Sequence, residues 1–152
     1  MRSSFARRLV MIALVPAAAV IAAAFFLVRT VEPAQAAIET GALAAEPFTE
    51  TRLAALRAEN RPVFVYFTAD WCLTCKVNER AVLARADVAE AFRNAGVTVL
   101  VGDWTRGEAE IGRFLESHGR SGVPLYLFYR PGAEPEILPQ ILTAGRVKAL
   151  AG

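Results

Sequence analysis

The only two cysteines of the 152-residue chain, Cys72 and Cys75, lie three positions apart in the stretch FTADWCLTCKVNE. This spacing suits a redox pair, half of a zinc site, a haem attachment point, or two small apolar residues in a core. A structural zinc site needs four ligands, and the chain adds only one histidine, His118. Haem attachment needs a histidine directly after the second cysteine, where Lys76 stands. The residues favour a redox pair with no metal and no cofactor, and buried structural cysteines are the remaining alternative.

The position of the pair in the chain gives it a chemical mechanism. The apolar run PVFVYFTA ends just before the cysteines and predicts a buried strand, and sequence with helical character follows. If a helix begins at about Cys72, its free N–H groups and positive dipole end favour thiolate over thiol at that sulfur. Cys75 lies one turn further on, where it can resolve a mixed disulfide formed on Cys72. We therefore predict that Cys72 is the attacking, exposed sulfur and Cys75 the resolving, more buried one.

The remaining patterns predict alternating helices and strands. A first helix, with Thr49 as N-cap, precedes the buried strand, and Gly96 ends the helical region after the cysteines. Further strands are predicted at residues 97–104, 124–130 and 136–139, and further helices at residues 107–119 and 142–152. Strands separated by helices are expected to pair in parallel, and the last two, joined by a tight turn, to pair antiparallel. The result is an α/β fold with a mixed central sheet, helices on both faces, and the cysteines at the carboxyl ends of the strands, where such sheets carry their chemistry.

The first 36 residues have the pattern of a targeting segment. Arginines at positions 2, 7 and 8 precede an uncharged run over residues 9–28, and AQA at 34–36 is similar to a cleavage site. The run of 20 residues is also just long enough to span a bilayer. A signal peptide and a membrane anchor both stay open. Each puts the rest of the chain on the outer side of the membrane, because the arginines favour a cytoplasmic amino terminus.

Composition divides the chain into three parts: a signal peptide or membrane anchor at 1–36, an alanine-rich linker at 37–47, and one folded domain at 48–152. The formal net charge of +2 comes from the first part. Without it, the chain keeps 13 basic and 14 acidic residues. These charges alternate in sign without long runs, so there is no footprint for nucleic acid. We expect membrane contact only through residues 9–28.

The residues around the cysteines resemble a known family. ADWCLTC behind an apolar strand, with GVP at 122–124, looks like the thioredoxin superfamily. The longer string FTADWCLTCKVNE, with GDWT at 102–105 and GRSGVPLYLFY at 119–129, resembles the periplasmic carboxyl-terminal thioredoxin-like domain of DsbD-type thiol:disulfide interchange proteins. The resemblance covers about residues 48–150 and implies a thioredoxin-like fold. It also implies that electrons pass by dithiol–disulfide exchange from a membrane-embedded partner domain to other exported thiol proteins.

The resemblance gives roles to particular residues. It implies that Cys72 is the nucleophile and Cys75 the resolving thiol. It implies that Pro124 is a cis-proline facing them, which would turn the backbone of Val123 toward a docking substrate strand. Glu79 matches the acidic residue one turn after the resolving cysteine, which can assist proton transfer to or from Cys75. The alternative for Glu79 is a solvated glutamate on a helix.

Two aromatic residues, one acidic residue and one departure from the family pattern lie close to these residues in the sequence or in the expected fold. The family domain usually has an aspartate six positions before the first cysteine, where this chain has Tyr66. Trp71 is expected to cover one side of the active-site sulfur, with core packing as its alternative. Asp70 is expected to be a helix N-cap rather than a local acid. Trp104 is expected in the core or at its rim.

The favoured function is an exported protein-disulfide reductase. One apolar run cannot supply the multi-span membrane domain of the family, so the electron donor is expected to be a separate membrane-embedded thiol reductase. The clients are expected to be periplasmic disulfide-containing proteins, for example apocytochrome c, disulfide isomerases or metal-resistance proteins. The alternatives are an oxidase or isomerase of the same fold, and a non-catalytic thioredoxin-like binding or chaperone module. The segment between Cys75 and Pro124 has no room for the helical domain inserted in DsbA-like oxidases, which favours the reductase.

Overall fold

A computed structural model of the chain describes residues 38–40 and 43–152. The predicted signal or anchor segment at 1–36 lies outside the described residues. The elements in chain order are β1 (Ile38–Thr40), β2 (Leu43–Pro47), α1 (Glu50–Ala58), β3 (Val63–Thr68), α2 (Leu73–Asn78), a π-helical segment (Glu79–Leu83), α3 (Ala86–Asn94), β4 (Thr98–Asp103), α4 (Ala109–Ser117), β5 (Leu125–Tyr129), β6 (Glu136–Ile137), α5 (Ala144–Lys148) and a 3₁₀ turn (Ala149–Ala151). None of the helices in this described part is long and apolar enough to cross a bilayer.

The strands form one mixed sheet in the order β1-β2-β4-β3-β5-β6. The three strands β2, β4 and β3 run parallel, whereas β1, β5 and β6 are each antiparallel to a neighbour. β3 lies inside the sheet, and all six of its residues are buried. Its β-branched and aromatic side chains suit a strand that is covered on both faces. The predicted mixed sheet is confirmed.

The prediction that β5 runs parallel to the other helix-connected strands was wrong. β5 pairs antiparallel with β3, with Leu125 opposite Phe67 and Tyr129 opposite Val63. β4 ends with Asp103 beside the last residue of β3. The connection through α4 leaves β4 at the carboxyl end of β3 and enters β5 at that same end. β5 therefore runs in the opposite direction to β3 and β4.

The segment at 37–47, expected to be a linker, contributes strands to the sheet. Within it, β2 pairs with β4, and Leu43 and Ala45 are buried beneath the helices. Alanine and proline are depleted in strands, so the composition of LAAEP concealed this element. The sheet therefore begins before residue 48.

Helices cover both faces of the sheet, as predicted. Along β3, Phe64 and Tyr66 pack into the core beneath α3 and α5, whereas Val63, Val65 and Phe67 pack into the core beneath α1 and α4. This alternation follows from the two-residue period of a strand. The sheet therefore has a packed core on each face, and the cysteines follow the carboxyl end of β3.

Two predicted helix boundaries are confirmed. Thr49 is the N-cap of α1, and its hydroxyl oxygen accepts a hydrogen bond from the Arg52 N–H at 3.0 Å. Gly96 follows α3 with a φ of +66°, a conformation that glycine adopts without steric cost.

Candidate active site

The two cysteines form a disulfide just beyond β3. Cys72 and Cys75 are joined by an S–S bond of 2.08 Å, with their Cα atoms 5.3 Å apart. The Cys72 N–H donates to the carbonyl oxygen of Ala69 at 3.1 Å, which closes the turn from the strand into α2. Ala69 and both cysteines pack together with the half-buried Val123. The structure therefore shows the oxidised state of the pair.

Cys72 is the N-cap residue of α2. Its backbone is extended, with φ −86° and ψ 98°, and its sulfur accepts a hydrogen bond from the Cys75 N–H at 3.2 Å. α2 begins at Leu73, in agreement with the predicted helix start at about Cys72. When the bridge is reduced, this N–H and the positive end of the helix favour negative charge on the Cys72 sulfur.

The two sulfurs differ in their access to solvent. The prediction that Cys72 is exposed was wrong for this oxidised state, because both cysteines are buried, Cys72 with 7% and Cys75 with 0% of the residue surface exposed. Both sequence neighbours of Cys72, Trp71 and Leu73, are exposed. A client disulfide must reach the attacking sulfur, so this asymmetry agrees with attack by Cys72 and resolution by Cys75. The order of attack itself stays a prediction.

The prediction that Asp70 is a helix N-cap was wrong. The Asp70 N–H donates to the Thr105 hydroxyl at 3.0 Å, and the carboxylate of Asp70 is exposed, 3.6 Å from the ammonium of Lys76. The turn between β3 and α2 is longer than the sequence suggested. The helix begins at Leu73, two residues beyond the start that an Asp70 cap would give, and Cys72 takes the cap position instead.

Trp71 lies on the surface beside the disulfide. Its side chain is 60% exposed, which excludes the core-packing alternative. The indole N–H donates to the Thr105 carbonyl oxygen at 3.2 Å, and the ring centroid lies 6.1 Å from that of the half-buried Trp104. Trp71 is thus held by the loop after β4, and Trp104 lies at the core rim. That Trp71 covers the reactive sulfur stays a prediction.

Val123 lies against the cysteine pair, and Pro124 follows it in the chain. The peptide bond between them is cis, as the resemblance implied. Pro124 is buried at the start of β5, and Val123 packs against the cluster that holds Cys72 and Cys75. The fold therefore brings Val123, the residue before the cis-proline, to the cysteine pair from a distant part of the chain. The substrate-binding role of Val123 and Pro124 stays a prediction.

Glu79 follows α2 directly, and its side chain is 15% exposed. One carboxylate oxygen accepts a hydrogen bond from the hydroxyl of Thr68, and the other lies 3.0 Å from the ammonium of Lys76. The solvated-glutamate alternative is therefore wrong, because the carboxylate is held by a strand hydroxyl and a helix ammonium. Proton transfer between Glu79 and Cys75 stays a prediction.

Tyr66 is part of the core at the position where the family usually has an acid. The ring is buried and stacks on Phe64, with a centroid separation of 6.1 Å. It faces Tyr126 across the antiparallel pair of β3 and β5. An aromatic core residue thus stands where the family usually has an acid, and Glu79 and Asp70 are the acidic residues nearest to the cysteines in the sequence.

Asn78 is a buried residue that the sequence analysis missed. It is 2% exposed, and its amide nitrogen donates to the Tyr126 hydroxyl at 2.9 Å and to the Gln140 carbonyl oxygen at 2.7 Å. Its amide oxygen accepts from the Leu142 N–H at 3.1 Å. The side chain therefore ties α2 to β5 and to the loop before α5. Three of its four nearest neighbours in the sequence are charged, so no local pattern marked this residue as buried.

Within residues 43–152, no group of three or more histidine, cysteine, aspartate and glutamate side chains is arranged to hold a metal ion. The polar groups described above are instead engaged with each other and with the backbone. The chemistry that this site offers is the making and breaking of one disulfide.

Comparison with protein families identifies the fold. A family model described as thioredoxin-like matches residues 44–131, which is more than half of the chain. The chain therefore belongs to the thioredoxin-like family. The match includes the cysteine pair and the cis peptide bond before Pro124.

Curated relatives are thiol:disulfide interchange proteins. The chain is 33% identical over 85 residues to thiol:disulfide interchange protein DsbD 2 of Pseudomonas aeruginosa, covering 56% of this chain and 14% of that protein. It is 36% identical over 75 residues to DsbD of Ralstonia nicotianae, covering 49% of this chain and 12% of that protein. The chain thus matches only a small part of these much longer relatives.

Solved structures share the fold. The oxidised DsbD carboxyl-terminal domain of Neisseria meningitidis superposes with a TM-score of 0.56 and 24% identity, over 70% of this chain and 95% of that one. Its reduced form gives a TM-score of 0.55 and 23% identity, over 69% and 96%. Fold, family and disulfide together define a thioredoxin-like domain with a disulfide-forming cysteine pair, and its sequence is similar to one part of DsbD.

Proposed function

We propose that the protein is an exported protein-disulfide reductase that passes electrons through Cys72 and Cys75 to other exported thiol proteins. The observation that carries this proposal is the disulfide at the start of α2, in which the sulfur of Cys72, the less buried cysteine, accepts a hydrogen bond from a helix N–H. The similarity to thiol:disulfide interchange proteins supports the same class of reaction.

The exchange has two steps. The Cys72 thiolate attacks one sulfur of a client disulfide, which forms a mixed disulfide and releases the other client sulfur as a thiolate that takes up a proton. Cys75 then loses its proton and attacks the Cys72 sulfur of that mixed disulfide. The second client sulfur leaves as a thiol after protonation, and the Cys72–Cys75 bridge remains. Two electrons and two protons have moved to the client, and a donor dithiol restores the reduced pair.

The surrounding residues have proposed parts in these steps. Val123 and Pro124 would align the client strand beside Cys72, and Trp71 would shield one side of the sulfur. Glu79 would exchange a proton with Cys75, and its contacts with Thr68 and Lys76 hold the carboxylate in a fixed position.

The proposed location is the periplasm, with residues 1–36 acting as a signal peptide or as an anchor through residues 9–28. The electron donor is proposed to be a membrane-embedded thiol reductase, and the clients periplasmic disulfide-containing proteins, including those of cytochrome c biogenesis. The similarity to one part of DsbD supports a division of labour in which the membrane step belongs to another polypeptide or segment.

The direction of electron flow is proposed on the absence of a large insertion. Between α2 and β5 the described chain holds only the π-helical segment, α3, β4 and α4. An oxidase of the DsbA type would carry an additional helical domain in this interval.

The deciding experiment is the equilibrium redox potential of the Cys72–Cys75 pair against glutathione. A reductase should give a potential near that of thioredoxin, about −270 mV, whereas a value near about −120 mV would assign the protein to the oxidases. In parallel, Cys75→Ala should trap exported clients as mixed disulfides on Cys72. The double variant with Cys72→Ala is the matched control. An empty trap in the exported compartment would favour the binding or chaperone module.

A further inference from the structure

A polar pocket lies beside the disulfide and is formed by residues with no assigned role in the exchange. Its volume is about 210 Å³, and it is lined by the segment 119–123 and by Gln140. Val123, which lines this pocket, also packs against Cys72. The pocket and the reactive sulfur therefore share a wall.

Arg120 is the one charged residue that lines the pocket. Its Nε–H is buried and has no hydrogen-bond partner in the part of the chain that the structure describes. None of the ion pairs in this described part includes Arg120. A buried donor on a charged group is costly when it lacks an acceptor. The terminal nitrogens of the guanidinium also have no acceptor in the described residues, so a carboxylate in the pocket can accept hydrogen bonds from them.

The chemistry of the lining selects a carboxylate. A guanidinium presents parallel N–H donors that match the two oxygens of a carboxylate. The other polar side chains at the pocket, Ser121 and Gln140, are neutral hydrogen-bonding groups. A single positive charge with neutral neighbours suits a monoanion better than a dianionic phosphate. The nearby cation Lys76 is already paired with Glu79 and Asp70.

Both walls of the pocket are attached to the redox helix. Val123 packs against the cysteine cluster, and the carbonyl oxygen of Gln140 accepts the hydrogen bond from Asn78 on α2. The Leu142 N–H donates to the Asn78 amide oxygen and so holds the same loop. The pocket is thus held in a constant position relative to Cys72, which lowers the entropy cost of binding a client there.

We propose that this pocket binds the side-chain carboxylate of an aspartate or glutamate next to the client cysteine, so that Arg120 selects acidic client segments. The inference rests on the proposed function, because it assumes that clients dock at Cys72. It adds a substrate class to that function. Arg120 takes no part in the exchange of electrons.

A matched series of peptides tests this selection. Each peptide contains one cysteine, which forms a disulfide with a small thiol. Each also has one glutamate, placed one or two residues before or after the cysteine. A partner peptide has glutamine at the same position. For the reduced full-length protein, the best glutamate peptide should exceed its partner about tenfold in kcat/KM, which corresponds to about 1.4 kcal/mol. Arg120→Gln should bring the two within about twofold, and Arg120→Lys should give an intermediate ratio because it keeps the charge but loses the fork.

Arg113→Gln is the control variant. Arg113 is an exposed arginine on α4, so this variant removes the same charge without touching the pocket and should keep the tenfold preference. Equal turnover of both peptides by the unsubstituted protein would overturn the inference and leave the proposed function standing. An equal loss of preference in Arg113→Gln and Arg120→Gln would also overturn the inference and leave the proposed function standing, because the preference would then depend on net charge.

A binding measurement separates the pocket from the chemistry. The oxidised protein is titrated calorimetrically with the same peptides carrying serine in place of cysteine. The dissociation constants of the glutamate and glutamine peptides should differ about tenfold for the unsubstituted protein and be equal for Arg120→Gln. Equal constants for both proteins, or no binding of any peptide, would contradict the inference even if exchange activity is absent. Absent exchange activity with an intact binding preference would instead contradict only the proposed function.

Discussion

The two ends of the central sheet both carry arginines beside a pocket, but their arginines have different surroundings. At the end away from the disulfide, a pocket of about 290 Å³ is lined in part by Arg57 and Arg130. The guanidinium of Arg57 lies over the ring of Tyr129, 5.0 Å from its centroid. Arg130 lies 4.9 Å from the ring centroid of Phe128 and also donates to a carboxylate of Glu136. These two arginines are thus engaged within the chain itself, whereas the arginine beside the disulfide is not.

The apolar side chains show the same contrast. Of the large hydrophobic side chains that are exposed in the described residues, Trp71, Leu73, Val77 and Ile141 lie on α2, just before it, or in the loop that Asn78 holds against it. Isolated exposed apolar residues are ordinary, but a group around a reactive centre indicates a contact surface. The fifth exposed apolar residue, Ile137, lies in β6. The disulfide end therefore offers a larger exposed apolar surface than the opposite end, and we expect a partner to bind there.

The largest expected effect separates the two ends by activity. Cys72→Ser should lower the rate of reduction of a peptide disulfide at least about a thousandfold, because the nucleophile is lost. Arg57→Gln, at the other end, should change the same rate by less than about twofold. Turnover of a peptide disulfide, followed by release of its thiol, measures both. A comparable loss in Arg57→Gln would show that the remote end takes part in the reaction.

The next effect concerns the attachment of the redox helix. Asn78→Ala should lower the free energy of unfolding by about 3 kcal/mol, because it leaves the Tyr126 hydroxyl, the Gln140 carbonyl and the Leu142 N–H without their buried partner. Asn94→Ala, at the exposed end of α3, should change it by less than about 0.5 kcal/mol. Urea unfolding of the oxidised proteins measures both. Equal stabilities would mean that Asn78 is a solvated residue rather than an attachment.

A smaller effect tests packing near the disulfide end. A Cβ on Gly102 would lie 2.3 Å from a ring carbon of Phe67, in the core beneath α1 and α4. Gly102→Ala should therefore destabilise the fold by about 1–3 kcal/mol through overpacking. Gly145→Ala in α5 has open space around it and should stabilise by about 0.5–1 kcal/mol through its lower unfolded-state entropy. The midpoint of thermal unfolding measures both variants. A shift in the same direction for Gly102→Ala and Gly145→Ala would contradict the close packing at Gly102.

The smallest effect appears at alkaline pH. Burial raises the pKa of Tyr126 to about 12, and the hydrogen bond with Asn78 partly offsets this. The unfolded chain loses the phenolic proton near pH 10, whereas the folded chain retains it until about pH 12. Stability is therefore unaffected well below pH 10 and falls as the pH rises from about 10 to 12. Tyr126→Phe should flatten this part of the pH profile, and an unchanged slope would assign it to other tyrosines.

The redox centre and much of the sheet were predictable because their signals are local. The apolar run before Cys72, the cap at Thr49 and the glycine at Gly96 each determine structure within a few residues. The cis peptide before Pro124 was expected only through the family resemblance, since most X-Pro bonds are trans.

What was missed depends on contacts between distant parts of the chain. β2 is built from residues with weak strand propensity that are stabilised by pairing with β4. The direction of β5 depends on the end of β3 at which the connection through α4 returns to the sheet. Asn78 and Arg120 gain their importance from partners, or from the lack of one, that no short window of sequence displays. Tertiary context decided each of these cases.

The hydrogen bonds of Asn78 also affect how the protein matures. They join residues that are 48, 62 and 64 positions apart, all of them later in the chain. Synthesis proceeds from the amino end, so both cysteines emerge well before the loop that restrains their helix. During the interval before these residues are made, the helix that carries Cys75 lacks all three of these restraints. Final assembly of the carboxyl-terminal segment ends that interval.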